Sequence, residues 1–174
     1  MTRGHPSRDV AVTCIAIATT NGMYQSGFVI GTASFGIVDA NGQTGLFKDV
    51  LVGNEVYTFG YPSSIGLQEA PQLDQNRALI RRGIVADKDP NRRTLVLDSP
   101  AFKGNSGGPI IARSELKAVP NGIGLEYKVV GIVVEFVPFE ERWVNSQFGY
   151  WNTTISNSGY SIGEPMDSIF ETLW

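Results

Sequence analysis

Twenty glycines are spread along 174 residues, well above an average usage of about 7%. They fall between short runs rich in Val, Ile, Thr and Phe, with no low-complexity tract to account for them. Helical periodicity is nearly absent until the C-terminus. This texture predicts an all-β fold, a sandwich or barrel of short strands whose turns depend on glycine. The length fits one ordinary domain or two small fused ones, enough to bury a core.

Strand candidates follow one another closely. Val10 to Ile17 is β-branched, Thr20-Asn21-Gly22 is a turn, and Gly27 to Gly31 and Ser34 to Val38 read as further strands. The polar stretch Gly42 to Asp49 is the best linker between two subdomains. Glu55 to Gly60 alternates cleanly and stops at Tyr61-Pro62. Ala78 to Val85 and Thr94 to Leu97 flank the turn cluster Asp87 to Asn91, a hairpin pattern. Gly108 to Ala112 and Tyr127 to Val137 form another strand pair. In the tail, Pro165 suits a first helical position, and Met166, Ile169, Phe170 and Leu173 recur at helical spacing. One short amphipathic helix is expected there. These boundaries divide the chain into 1–48, 49–137 and 138–174.

Composition removes several function classes. A single cysteine, Cys14, excludes an internal disulfide, and one cysteine with one histidine, His5, excludes zinc-finger and His-rich zinc sites. Cys14 itself lies in an apolar strand pattern and reads as core. A net charge of −3 argues against a sequence-independent grip on nucleic-acid phosphates or on anionic membrane. The longest apolar runs, Val10 to Ala18 and Val129 to Val134, fall far short of the ~20 residues of a spanning helix, and the first eight residues do not resemble a signal peptide. The expectation is no cofactor, no metal, no nucleic acid and no membrane, with the oligomeric state open. Asp87, Asp89, Asn91 and Asp98 faintly echo a calcium loop, but Arg92 stands where glycine is needed. Asn152-Thr153-Thr154 is a glycosylation sequon in form.

The chemistry concentrates in Gly104-Asn105-Ser106-Gly107-Gly108-Pro109. A nucleophilic serine needs an exposed oxygen and backbone N–H donors aimed at the developing oxyanion. Glycines on both sides let the loop turn its amides inward and let substrate approach the backbone. The plain alternative is a tight turn between strands. An α/β-hydrolase elbow is excluded, because Gly107-Gly108-Pro109 would spoil the helix it requires and no histidine follows Ser106.

This hexapeptide resembles the nucleophile loop of the chymotrypsin-like (trypsin-like) serine proteases, most closely the bacterial HtrA-like and glutamyl-endopeptidase-like branch. Other stretches are similar in family order: Asp9-Val10-Ala11-Val12 to the catalytic-aspartate motif, Gly53 to Pro62 to the opening of the second barrel, and Arg82-Gly83-Ile84-Val85 to a following strand. Val130 to Val134 resembles the strand lining the substrate cleft, and Asn157-Ser158-Gly159-Tyr160 the ending of small bacterial members. The resemblance implies a chymotrypsin-like double antiparallel β-barrel, with the first barrel partial and a short C-terminal helix. It implies a serine endopeptidase acting on a polypeptide substrate through an acyl-enzyme. Ser106 is then the nucleophile, the amides of Gly104 and Ser106 the oxyanion hole, and Asp9 the triad acid; a solvated aspartate before a strand is the plain alternative for Asp9. Pro100 and Ala101 would form the specificity pocket, with no acidic group to bind a basic side chain. Val133 would stand beside that pocket, and Val134, Glu135 and Phe136 would pair with the substrate as an added strand. Asparagine at 105 cannot make the ion pair of cleavage-activated members.

The family's histidine belongs well upstream of the aspartate, but only eight residues precede Asp9, and His5 is too close to take that part. The chain thus reads as the end of a first barrel without its beginning. Two explanations compete: a fragment of a longer peptidase, or an inactive homologue that binds peptides through the same cleft. A β-sandwich interaction domain with a fortuitous glycine loop is a third class.

Overall fold

The computed structural model describes residues 2–4, 6–8, 11–13, 16–18, 24–26, 28–30, 33–35, 44–61, 70, 72–74, 76–115 and 124–173. Strands dominate, and the single α-helix among the described residues is at the C-terminus. Six three-residue strands come first: β1 (Thr2–Gly4), β2 (Ala11–Thr13), β3 (Ala16–Ala18), β4 (Tyr24–Ser26), β5 (Phe28–Ile30) and β6 (Ala33–Phe35). They pair antiparallel as β1–β2, β3–β4 and β5–β6. Cys14, His5 and Asp9 lie outside the described residues.

The body is built from β7 (Glu55–Gly60), β8 (Leu79–Asp89), β9 (Thr94–Asp98), β10 (Pro109–Glu115), β11 (Leu125–Asn145) and β12 (Tyr150–Pro165). These six close into an antiparallel barrel in the order β10-β11-β12-β9-β8-β7. Closure removes the edges that a flat sheet of this size would expose. Alternation sets the inside: along β7, Val56, Thr58 and Gly60 are buried while Glu55, Tyr57 and Phe59 are half-buried. Val56, Val85, Leu95, Leu97, Ile110, Ala112, Val130 and Val133 make up most of the core, joined by Val50 and Ala101. Short side chains predominate because a six-stranded barrel has a narrow interior.

The stretch read as a linker is fastened to this barrel where it is described. Thr44 bridges Val129, the Gly45 amide donates to the Val129 carbonyl (3.0 Å), and Phe47 packs against the core. The C-terminal helix α1 (Met166–Leu173) starts directly after Pro165, as its spacing predicts. It buries Met166, Ser168 and Thr172 and lies against β11 and against β1 and β2. Asp167 accepts the Phe47 amide at 2.7 Å, and Arg93 at the β8–β9 turn pairs with Asp167 and Glu171.

A polar cluster knits the barrel exterior. The Glu55 carboxylate accepts the Tyr57 hydroxyl and pairs with Arg82 and Arg113, both at 2.9 Å, joining β7 to β8 and β10. The Tyr57 hydrogen bond, helped by the two guanidiniums, holds the Glu55 pKa below the ordinary glutamate value. Such a group stabilises the fold above its unfolded pKa, near 4.3, and that stability fades as pH falls through the lowered folded pKa. Glu55→Gln is therefore expected to lower the urea midpoint at pH 7. The gap to the unsubstituted protein should narrow steadily as the titration is repeated at acid pH.

Candidate nucleophile loop

The loop Gly104 to Gly108 is held by hydrogen bonds that its sequence order makes possible. The Asn105 amide donates to the Phe102 carbonyl (2.9 Å), and the Gly108 amide donates to the Asn105 carbonyl (3.0 Å), giving two consecutive tight turns. Gly104 (φ 92°) and Gly107 (φ 83°) occupy the left-handed region, where a side chain is strained. Asn105 is 2% exposed, and its Oδ1 accepts the Phe102 amide at 3.0 Å. The loop is thus pinned from inside by the residue that precedes the serine. A buried amide side chain is retained only where its polar atoms are satisfied.

The barrel fixes this bracket from three sides. The Tyr61 amide, at the end of β7, donates to the Gly104 carbonyl at 3.0 Å. The Gly107 amide donates to the Val133 carbonyl (2.7 Å), and the Val133 amide donates to the Gly108 carbonyl (2.8 Å). Gly60 lets the loop lie directly on β7, since a Cβ there would come within 2.8 Å of the Asn105 Cα. Ser106, at the apex, is exposed. Among the described residues, the amides of Gly104 and Ser106 donate to no other group.

The remaining predicted residues fall into two groups. Val133 is buried and bonded to the loop at Gly107 and Gly108. Ala101 is buried and half-buried Pro100 precedes it; the Ala101 carbonyl accepts the Asn157 side-chain amide, and the Ser99 carbonyl accepts the Ser161 hydroxyl at 2.7 Å. The segment Ser99 to Ala101 is therefore stitched to β12. Val134 and Glu135 instead line a cleft of about 330 Å³ with Asp89, Arg92, Thr94, Val96, Ile162 and Glu164. Pro100 and Ala101 do not contribute to that cleft, and Phe136 is exposed where β11 bulges.

Two features of the site were not read from the sequence. Arg8 donates to Glu164 at 2.8 Å and to the Arg93 carbonyl at 3.3 Å, so the residue before Asp9 is anchored at the rim of this cleft. Nothing in the sequence around Arg8 signals a partner 156 positions away. The other is the structural use of Asn105, whose burial depends on a tertiary contact with Gly60. Among the described residues no group of three or more His, Cys, Asp or Glu side chains is placed to hold a metal ion. No helix among them is long and apolar enough to cross a membrane. No family model matches this chain, and no curated protein is significantly similar to it.

Proposed function

We propose that this chain carries the nucleophile half of a serine endopeptidase of chymotrypsin-like architecture. One observation carries the reading: an exposed serine at the apex of a glycine-bracketed loop, with two backbone N–H groups beside it unused among the described residues. In the proposed reaction a base takes the Ser106 hydroxyl proton as Oγ attacks the scissile carbonyl, and the Gly104 and Ser106 amides hold the oxygen as it becomes an oxyanion. Collapse of the oxyanion breaks the C–N bond as the same base returns the proton to the leaving amine. The pinning of Asn105 supports this reading. It makes the donors rigid before substrate arrives, so little reorganisation is needed as charge develops. Beside the loop, β11 continues from Val133 into Val134, Glu135 and Phe136, which would pair with the polypeptide backbone. Pro100 and Ala101 would favour a small or medium apolar side chain at the cleavage position. Asp9 would be the acid of the triad.

The second reading is an inactive homologue that binds peptides, to which the single histidine, His5, four residues before Asp9, is equally suited. Both readings predict that the protein by itself is a poor nucleophile. Loss of the base from a serine triad costs about 10⁶-fold in rate. Incubation with a fluorophosphonate probe should accordingly leave Ser106 essentially unmodified, as read by intact mass. Rapid stoichiometric labelling would show that the chain already holds a working base and would overturn this part of the account.

A further inference from the structure

The surface least explained by a peptidase is the outer half of the β11–β12 hairpin. Beyond the barrel, Pro138–Asn145 and Tyr150–Asn157 pair only with each other among the described residues, from Pro138 opposite Asn157 to Asn145 opposite Tyr150. Phe139, Trp143, Val144, Phe148, Tyr150, Trp151 and Ile155 are each between 51% and 74% exposed. With 150–250 Å² per large side chain, they leave on the order of 900 Å² of side chain in solvent. They are divided between the two faces of the hairpin, Phe139, Trp143 and Tyr150 on one and Val144, Trp151 and Ile155 on the other. A stable protein interface takes about 800 Å² from each partner.

The two arms differ in how they treat their free edges. The β11 arm carries Pro138, Glu140, Glu141 and Arg142, the residue types that keep an edge from pairing. The β12 arm, Tyr-Trp-Asn-Thr-Thr-Ile-Ser-Asn, has no charge and no proline and is rich in strand formers. From Trp143 to Gly163 the chain contains no Asp, Glu, Lys or Arg at all. We propose that this arm is covered by a second copy of the chain, the two β12 arms pairing antiparallel across a two-fold axis into a four-stranded ribbon.

Charge selects this arrangement. Pairing through β11 would have to accommodate Pro138, which has no N–H to give to a ladder, and would crowd Glu140, Glu141 and Arg142 of both copies into adjacent strands. Pairing through β12 puts the two β11 arms on the outside, three strand spacings or about 14 Å apart, beyond a Debye length of about 8 Å. A self-complementary, uncharged edge is what an isologous contact requires. The inference does not depend on the peptidase reading.

Sedimentation velocity from low to high micromolar concentration tests it, with Thr153→Lys and Thr154→Lys placing a charge on one face or the other of the arm. The unsubstituted protein should dimerise, and each variant should raise the dimer Kd at least about tenfold with an unchanged circular dichroism spectrum. Hydrogen exchange on the unsubstituted protein should show amides within 150–157 protected in the dimer and losing that protection on dilution. A monomer at every concentration would overturn the proposal, as would a dimer indifferent to both substitutions or to dilution in its 150–157 exchange. A monomer that instead sediments with phosphatidylcholine vesicles would assign the hairpin to lipid and would also overturn it.

Discussion

Gly108→Ala is expected to destabilise the protein by about 3 kcal/mol or more, seen as a large drop in the urea midpoint with the slope unchanged. Its immediate neighbour Gly107→Ala should cost only about 1 kcal/mol. The two glycines are adjacent and chemically identical, yet they are required for different reasons. A Cβ on Gly108 would overlap the carbonyl oxygen of Phe59 and lie 2.9 Å from that of Asn105, both backbone atoms that cannot move aside. Gly107 has open space around its missing side chain, and only its φ of 83° resists substitution. The Phe59 carbonyl belongs to β7 and the Asn105 carbonyl to the loop's own bracket. Relief of the Gly108 clash must therefore separate the loop from the barrel. The same substitution should loosen the hydrogen bonds of Gly107 and Gly108 with Val133, the join between this loop and β11. Equal midpoints for the two variants would mean that the loop does not rest on β7 as described.

This contrast marks how far the sequence could be read. Strands β7, β9 and β10 were legible because one face of each is buried, so Val56 and Thr58, or Leu95 and Leu97, alternate with more exposed neighbours, whereas β8, expected to end at Val85 before a turn at Asp87, buries only Val85 and runs on to Asp89. The helix was legible for the same reason, its spacing of Met166, Ile169, Phe170 and Leu173 matching an element that runs Met166–Leu173. The outer hairpin was not, and β11 was expected to end near Val137 although it continues to Asn145. Phe139, Glu141, Trp143 and Asn145 fall on one face of that arm and Pro138, Glu140, Arg142 and Val144 on the other. With both faces in solvent there is no in–out pattern to detect, and register shifts at Val133/Glu135 and Phe136/Pro138 break the phase. At the site, Ser106 was conspicuous through its glycines, while the buried bracket of Asn105 depends on Gly60, far away in sequence. The division between a linker and a barrel near residue 48 was also drawn from polarity alone, which cannot anticipate the bonding of Thr44 and Gly45 to Val129.

In the proposed function Ser106 sits in a cradle competent for acyl transfer that lacks only a base. Free imidazole can supply that base from solution, because a general base need only reach the serine proton at the moment of attack. The direct measurement is the rate of fluorophosphonate modification, by intact mass and peptide mapping, as imidazole is raised at constant ionic strength. Probe hydrolysed by imidazole alone is subtracted, and Ser106→Ala is carried through in parallel. Imidazole is predicted to accelerate modification at least about tenfold, a small part of the roughly 10⁶-fold that a positioned histidine provides. The single adduct should map to Ser106 and be absent from Ser106→Ala. No adduct at Ser106 at any imidazole concentration, or equal modification of the alanine variant, would contradict the claim.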